Sequence, residues 1–225
     1  MSTPAAVDGE RPSGPRSRKG ANSRARLIEA AKAVFEEDGF LEARITDIAE
    51  RAGLSHGSFY HYFDSKEAIL REVAEALDDR LNSPLGEEIL TPTTHALPRD
   101  RIREGNRSFL ELYTREAKLI SEVEHASRLD EHLHAERAKH MRAYNEELAG
   151  SVRRLQKAGL ADPKLDPVLT AHAVGAMVTR FADQWLGQGV IECTMNQAVE
   201  QLTRLVANAL GIPEGDAQAR RSKRS

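Results

Sequence analysis

The amino-acid sequence predicts an all-α protein, and three observations support this fold class. Apolar residues recur every three or four positions through most of the chain, which is the spacing of one face of an α-helix. Helix-capping residues and glycines stand between these stretches, where helices begin and end. No stretch alternates apolar and polar residues as a half-buried β-strand does.

Composition favours a soluble protein of a reducing compartment. The 225 residues are 40% hydrophobic and 30% charged, with a net charge of -3, and no apolar run reaches the ~18 residues of a membrane span. Cys193 is the only cysteine, so no intrachain disulfide can form. The N-terminus lacks the apolar run of a signal peptide. We therefore expect a cytoplasmic protein with no membrane partner.

The two ends of the chain are basic and poor in apolar residues. Six cations and no acid lie between Arg11 and Arg26, and four cations lie at 220–224. Such ends often contact phosphate, although solvated, disordered termini have the same composition. We predict a disordered basic arm over 1–21 and a basic tail over 213–225.

The first domain is predicted over 22–82 and opens with an amphipathic helix. A Ser23 cap precedes its apolar face. Gly39 ends the helix in the left-handed conformation, and Phe40 should then pack back on Phe35.

Two short helices follow. The second helix is predicted over 46–52 and stops at Gly53. The third is predicted over 55–63, because Ser55 is a good N-cap.

A fourth helix opens with a capping box, in which Asp64 caps and Glu67 reaches back. Three prolines and several turn-forming residues interrupt the helical periodicity over 82–98, which predicts a domain boundary in or just before this stretch. We place the second, regulatory domain at 83–212.

Helical periodicity returns in the second domain. Asp166 followed by Pro167 is a cap with a first-turn proline, and Thr194 with Gln197 is a second capping box. The predicted helices are 99 to about 123, 131–157, 166–186 and 194–210.

The second and third helices carry the features of a helix-turn-helix. They flank a turn at Gly53, and Ala49 is small where the two helices must cross. The third helix holds no acidic residue. Phosphate repels carboxylates, so this composition fits a surface that lies on DNA. Gly57 costs up to ~1 kcal/mol of helix propensity, which fits close approach of the backbone to a phosphate.

Two runs of residue types in this region form a specific pattern. They are Ala31-x-x-x-Phe35-x-x-x-Gly39-Phe40 and Asp47-Ile48-Ala49-x-x-Ala52-Gly53-Leu54-Ser55-x-Gly57-Ser58-Phe59-Tyr60-x-Tyr62-Phe63-x-Ser65-Lys66-Glu67. Together they resemble the TetR-like repressor family, over about Leu27 to Leu70, near a fifth of the chain. The resemblance implies an all-α homodimer with an N-terminal three-helix helix-turn-helix DNA-binding domain. It also implies a C-terminal helical domain for ligand binding and dimerisation.

The resemblance further implies that Tyr60 and Lys66 contact phosphate, and that residues of the third helix face the groove. The complete set of predicted DNA contacts is Arg24, Arg44, Thr46, Ser55, His56, Gly57, Ser58, Tyr60, His61, Tyr62 and Lys66. The family usually has Ser or Thr where this chain has Arg44, which cannot cap but can reach phosphate, so its role is open. Tyr60 and Tyr62 either contact phosphate or belong to the core with an exposed hydroxyl. We expect Phe59 and Phe63 to be core residues.

The second domain offers candidates for a small-molecule cavity. They are Phe109, Tyr113, Met141, Tyr144, Met177, Arg180, Phe181 and Trp185. Bulky side chains of this kind also form ordinary cores, and both interpretations stay open. A buried Arg180 would need an anion, either from a ligand or from Asp183 or Asp166.

Small residues in the last two helices allow close helix approach. They are Ala171, Ala173, Gly175, Ala176, Ala182, Ala198, Ala207 and Ala209. The resemblance implies that these helices form the dimer interface, as a four-helix bundle across a two-fold axis.

A cluster of four histidines and three glutamates could suggest a metal site: His125, His132, His134, His140, Glu124, Glu131 and Glu136. Neighbours on a helix face are three or four residues apart, so a His-x-His pair points its rings apart. We therefore expect no metal, and no cofactor motif is present.

The sequence predicts a ligand-responsive DNA-binding transcription regulator. We expect a repressor that a small apolar or amphipathic molecule releases from a palindromic operator on double-stranded DNA. One alternative is an architectural or activating DNA-binding dimer without a ligand, which would lack an apolar cavity of a few hundred Å³. The other is an enzyme on a helical fold, for which no motif supplies chemistry, so we expect no enzymatic activity.

Overall fold

The computed structural model describes residues 18–90 and 98–213. Within those ranges it holds eight α-helices, one π-helical segment and no strand, which confirms the all-α fold class. The helices are α1 Arg18–Asp38, α2 Ile45–Arg51, α3 His56–Phe59, α4 Lys66–Leu90, α5 Pro98–Ser127, α6 Glu131–Lys157, α7 Pro167–Ala182 and α8 Met195–Ala209, and the π-helical segment is Asp183–Gly187.

The first helix begins earlier than the sequence indicates. α1 starts at Arg18, so the end of the arm predicted over 1–21 is helical. Ser23 lies inside α1 and is buried, which makes the predicted cap wrong. Adding residues to an existing helix is easier than starting one, so a helix can extend past a favourable capping residue. The remainder of the predicted arm and nearly all of the predicted tail lie outside the described residues.

The chain divides into two compact units, the first ending at Ile69 and the second beginning at Leu70. The division therefore lies before the boundary predicted over 82–98. The interruption of helical periodicity that begins at Asn82 does not end the helix there, because α4 continues to Leu90. A run of turn-forming residues is only a local preference, and an established helix can extend through it.

The first unit is built around apolar side chains of α1, α2 and α3. Phe35, Ile48 and Phe59 are fully buried, and α2 contacts both α1 and α3. Gly39 ends α1 with a φ of 79°. The rings of Phe35 and Phe40 then lie 5.6 Å apart, edge to face. The predicted left-handed glycine and its aromatic contact are both confirmed.

The start of α4 is capped by a different residue from the predicted one. The hydroxyl of Ser65 accepts a hydrogen bond from the amide of Ala68 at 3.1 Å, and α4 begins at Lys66. Asp64 is therefore not the cap. Ser and Asp are nearly equal as caps, so two adjacent candidates leave the sequence ambiguous by one position.

The second unit pairs α5 with α8 and α6 with α7. Between α5 and α8, a buried hydrogen bond runs from Asn106 Nδ2 to Thr203 Oγ1 at 3.4 Å. The predicted cap at Asp166 is confirmed by its bond from the amide of Leu169. The predicted capping box at Thr194 is also confirmed. These caps fix where α7 and α8 begin, and so which of their faces point inward.

Candidate nucleic-acid interface and ligand cavity

The turn between α2 and α3 requires a glycine. Gly53 has a φ of 63°, and the amide of Leu54 bonds to the carbonyl of Ala49 at 2.9 Å. A Cβ at Gly53 would lie 2.6 Å from Nη2 of Arg26, and that nitrogen donates to the carbonyl of Ala52. The Gly53 turn and the arginine beside it therefore fix the angle at which α3 leaves α2.

The third helix is shorter than predicted. Regular helix covers only His56–Phe59, and the chain then continues in turns through Tyr62. The predicted cap is present, since the hydroxyl of Ser55 accepts from the amide of Ser58 at 3.1 Å. Phe59 and Phe63 are buried, which confirms both as core residues. Burying these two rings orients the intervening residues outward.

The outward surface of α3 is polar and carries no carboxylate. It consists of Ser55, His56, Gly57, Tyr60 and His61, all of which are exposed, with Ser58 half-buried. Tyr60 is 49% exposed and lies edge to face against His56, with ring centroids 5.3 Å apart. Beyond its chain neighbours and the backbone of its own helix, no atom of the described residues lies within 4 Å of a Cβ built on Gly57. The backbone at Gly57 is therefore open to a partner from outside the chain.

Three further predicted DNA contacts lie elsewhere on the first unit. Arg44 precedes α2, is exposed and makes no side-chain capping bond. Thr46 is exposed and its hydroxyl bonds to Asp47 at 3.3 Å. The guanidinium of Arg24 lies over the ring of Phe63, 5.1 Å from its centroid. Tyr62 is half-buried, so its two sequence-based interpretations both remain.

Lys66 makes contacts that the sequence does not indicate. Its ammonium donates to the carbonyls of Phe40, Leu41 and Ala43 at 2.7, 3.0 and 2.9 Å. An ammonium has three N–H donors, so these bonds use all of them. The same nitrogen lies 4.7 Å from the centroid of the Phe40 ring. In this arrangement Lys66 ties the start of α4 to the loop between α1 and α2, with no donor left for phosphate.

A cavity of about 300 Å³ lies within the second unit. Of the eight predicted ligand-binding residues, Phe109, Tyr113 and Met141 line it. The other five do not belong to its lining: Tyr144, Met177, Arg180, Phe181 and Trp185. The cavity wall is also more polar than the predicted set of residues. Its lining includes charged and titratable side chains that were not among the candidates: Asp78, Glu124, His134, Arg137 and His140.

Two of these charged side chains neutralise each other. Nε and Nη2 of Arg137 donate to the two carboxylate oxygens of Asp78, each at 3.2 Å. Side-chain exposure is 23% for Arg137 and 12% for Asp78. The forked geometry fixes α4 against α6 at the cavity wall.

Glu124 is in a different electrostatic environment. Burial raises the pKa of its carboxyl group, and the negative charge of Asp183 raises it further. Burial also raises the pKa of the Tyr113 hydroxyl, with a smaller effect from Glu124. Burial therefore disfavours the ionised forms of both Glu124 and Tyr113, which line the cavity together.

The structure also locates the other candidate ligand-binding residues. Arg180 is 60% exposed and pairs with Asp183, so of the two sources of an anion that the sequence left open, the protein carboxylate is the one present. The Phe181 and Trp185 rings lie 6.2 Å apart, on α7 and the π-helical segment. Tyr144 is buried within α6, as an ordinary core residue would be.

Two histidines of the cluster lie near carboxylates. His132 lies 3.3 Å from Glu136, and His140 lies 3.9 Å from both Glu75 and Asp79. Over residues 18–90 and 98–213, no three ligating side chains are grouped to hold a metal ion.

The helices of the same ranges were also compared with what a membrane span requires. None of them combines the necessary length with the necessary apolar character.

Comparison with known proteins identifies the first unit. Residues 27–73 match the family model described as bacterial regulatory proteins, tetR family. The chain is 43% identical over 63 residues to the uncharacterized HTH-type transcriptional regulator YdgC of Bacillus subtilis, which covers 28% of this chain and 32% of that protein. It is 27% identical over 164 residues to the HTH-type transcriptional repressor NicS of Pseudomonas putida, covering 72% of this chain and 76% of that protein. The chain thus spans about a third of YdgC and three quarters of NicS.

Solved structures share the fold over most of the chain. A TetR-family regulator from Mesorhizobium loti superimposes with a TM-score of 0.72 at 19% identity, covering 87% of this chain and 98% of that one. FadR from Bacillus subtilis, solved in complex with stearoyl-CoA, gives a TM-score of 0.65 at 19% identity, covering 82% and 98%. The helix-turn-helix geometry and the family match lead to one conclusion: residues 27–73 form a domain of the kind found in bacterial regulatory proteins of the tetR family, in a chain whose fold is shared with solved regulators of that family.

Proposed function

We propose that this protein is a dimeric, DNA-binding transcription regulator whose second unit binds a small amphipathic molecule. The observation that supports DNA binding best is the outward surface of α3. It is exposed and free of carboxylates, and its backbone is uncovered at Gly57. Short polar side chains and backbone amides of this kind contact phosphates and base edges. The predicted DNA contacts on this surface are retained as part of the proposal, and the protein would act on DNA in the cytoplasm.

The exposed surface of α7 supports dimerisation. Only three of its 16 residues are buried, although most of its side chains are apolar. Leu169 is 71% exposed on α7, and Leu205 is 50% exposed on α8. Exposed apolar helix surfaces indicate an interaction site. A second copy of this chain would cover them in a four-helix bundle with two-fold symmetry, with the exposed Ala173 and Ala176 allowing close approach.

The cavity favours a regulator that responds to a ligand over a DNA-binding dimer without one. Its volume of about 300 Å³ lies at the lower end of the range for small-molecule sites. Aromatic and aliphatic side chains share its wall with a few polar groups, the usual composition of such sites. We propose that occupancy of this cavity weakens DNA binding, which would make the protein a repressor released by its effector.

The substitution Gly57→Ala tests the proposed DNA surface. The new methyl group meets no atom of the described residues within 4 Å outside its own helix, and alanine adds up to about 1 kcal/mol of helix propensity. We therefore expect stability unchanged or higher, together with a loss of DNA affinity of about tenfold, ~1.4 kcal/mol. Affinity is measured by fluorescence anisotropy on a duplex that the wild-type protein has enriched from a random pool.

Gly150→Ala provides the matched control. Gly150 lies inside α6, and its added methyl would make an ordinary contact with Arg154 at 3.5 Å. This variant should gain similar stability and keep wild-type DNA affinity. If Gly57→Ala bound DNA as tightly as Gly150→Ala, α3 would not be the surface that approaches DNA.

A further inference from the structure

The carboxylate of Glu124 is the unbalanced charge of the cavity in the second unit. Glu124 lies on α5 and lines the cavity. Over the described ranges, no hydrogen bond or ion pair engages it. A half-buried carboxylate without a partner is costly to keep ionised. This cost is visible as the raised pKa of Glu124, caused first by burial and then by Asp183.

The cations around Glu124 are committed to other carboxylates or lie outside the cavity wall. Arg137 forms its forked pair with Asp78, and Arg180 pairs with Asp183. Arg128 is exposed and does not line the cavity. The two pairs cancel, so Glu124 is the carboxylate of the cavity wall that has no paired cation among the described residues, and His134 and His140 are the other titratable groups of the lining.

The rest of the cavity wall suits an apolar group next to a cation. Leu81, Ile120 and Met141 supply aliphatic surface. The rings of Phe109 and Tyr113 lie 5.9 Å apart in the wall. Aromatic faces attract organic cations, so the two rings and the carboxylate favour the same class of ligand.

We propose that the cavity binds a monocationic amphipathic amine, with its ammonium group at Glu124 and its apolar group against Phe109 and Met141. The inference rests on the proposed function, because it names the effector class of the same cavity. An anionic ligand would instead be repelled by Glu124, and the forked pair leaves Arg137 little capacity to receive it. An ammonium donates a charge-assisted hydrogen bond and compensates the charge of the carboxylate, whereas an alcohol of the same shape donates a weaker bond and leaves the charge uncompensated.

Three probes with the same apolar part test this inference: phenylbutylamine, phenylbutanol and phenylvalerate, each with four methylenes between the ring and the head group. Binding to the full-length protein is measured by titration calorimetry. We expect the amine to bind most tightly, the alcohol about tenfold more weakly, and the carboxylate most weakly of the three. In Glu124→Gln, amine and alcohol should bind equally, because the amide keeps the shape and removes the charge.

Glu104→Gln is the matched control, since Glu104 is exposed on the same helix and does not line the cavity. It should keep the wild-type preference for the amine. The inference is overturned if the amine does not bind at millimolar concentration, if the carboxylate binds as tightly as the amine, or if Glu124→Gln keeps the amine preference.

A DNA titration separates this inference from the proposed function. Anisotropy on the enriched duplex is repeated with saturating phenylbutylamine, and we expect weaker DNA binding. By reciprocity, saturating DNA must weaken amine binding by the same factor. Amine binding that depends on Glu124 but leaves DNA affinity unchanged would support the amine site and contradict the proposed effector role.

Discussion

Replacing Arg137 by alanine is expected to lower the free energy of unfolding by about 3 kcal/mol. The guanidinium donates to both oxygens of Asp78, whose side chain is only 12% exposed. Without it, a largely buried carboxylate has no partner, and leaving that charge unpaired is more costly than the missing attraction alone. Urea unfolding followed by circular dichroism measures the difference.

Two comparisons establish the cause of this destabilisation. Arg103 pairs with Glu200 and Asp100 on an exposed surface, so Arg103→Ala should cost less than about 1 kcal/mol. Adding Asp78→Asn to Arg137→Ala should restore part of the stability, because a neutral amide is easier to bury than a charge. Equal effects at Arg103 and Arg137 would show that the pair at the cavity wall contributes no more than a surface ion pair.

Replacing Lys66 by alanine should lower both stability and DNA affinity. Three carbonyls of the loop between α1 and α2 lose their common donor, which should cost about 2 kcal/mol in the free energy of unfolding. The loop precedes Arg44 and α2, so we expect the helix-turn-helix to be held less firmly and DNA to bind more weakly. Chemical denaturation and anisotropy on the enriched duplex measure the two effects.

The salt dependence of DNA binding distinguishes this positioning role from direct binding of phosphate. With all three donors engaged by carbonyls, Lys66→Ala should leave the slope of log affinity against log salt unchanged. Arg44→Ala is the comparison, because Arg44 is exposed and makes no capping bond. Its slope should shrink by about 0.9 for each phosphate that the variant no longer neutralises, and about twice that per dimer. A smaller slope for Lys66→Ala would instead support the phosphate-binding role that the family resemblance implies.

Local signals in the sequence predicted much of the helical framework. Gly39 ends α1, and Thr194 forms a capping box with Gln197. Both features depend only on residues a few positions apart, so the residue types alone predict them. The start of α1 and the length of α4 depend on how far a helix extends once formed. The residue types around Ser23 and Asn82 do not indicate that a helix continues through these positions. The Ser23 cap was therefore predicted wrongly, and the helix was not predicted to continue beyond Asn82.

The candidate sites were predictable to different degrees. Phe59 and Phe63 were recognised as core because large rings are mostly buried. Glu124 and Arg137 were missed, since a charged residue on a helix has the same pattern whether it faces solvent or a cavity. Lys66 finds its carbonyl partners 23 to 26 residues away in the chain, and no spacing rule connects positions so distant.

The stoichiometry and footprint on DNA test the central proposal most directly. One α3 surface covers only a few base pairs, so a symmetric dimer should place two of them in successive major grooves, about 34 Å apart. Sedimentation velocity on the enriched duplex gives the number of protomers bound, and nuclease footprinting gives the protected positions. We expect two protomers on a palindrome whose half-sites are centred about one helical turn apart, or a small multiple of it. A single protomer protecting one asymmetric half-site would contradict the account.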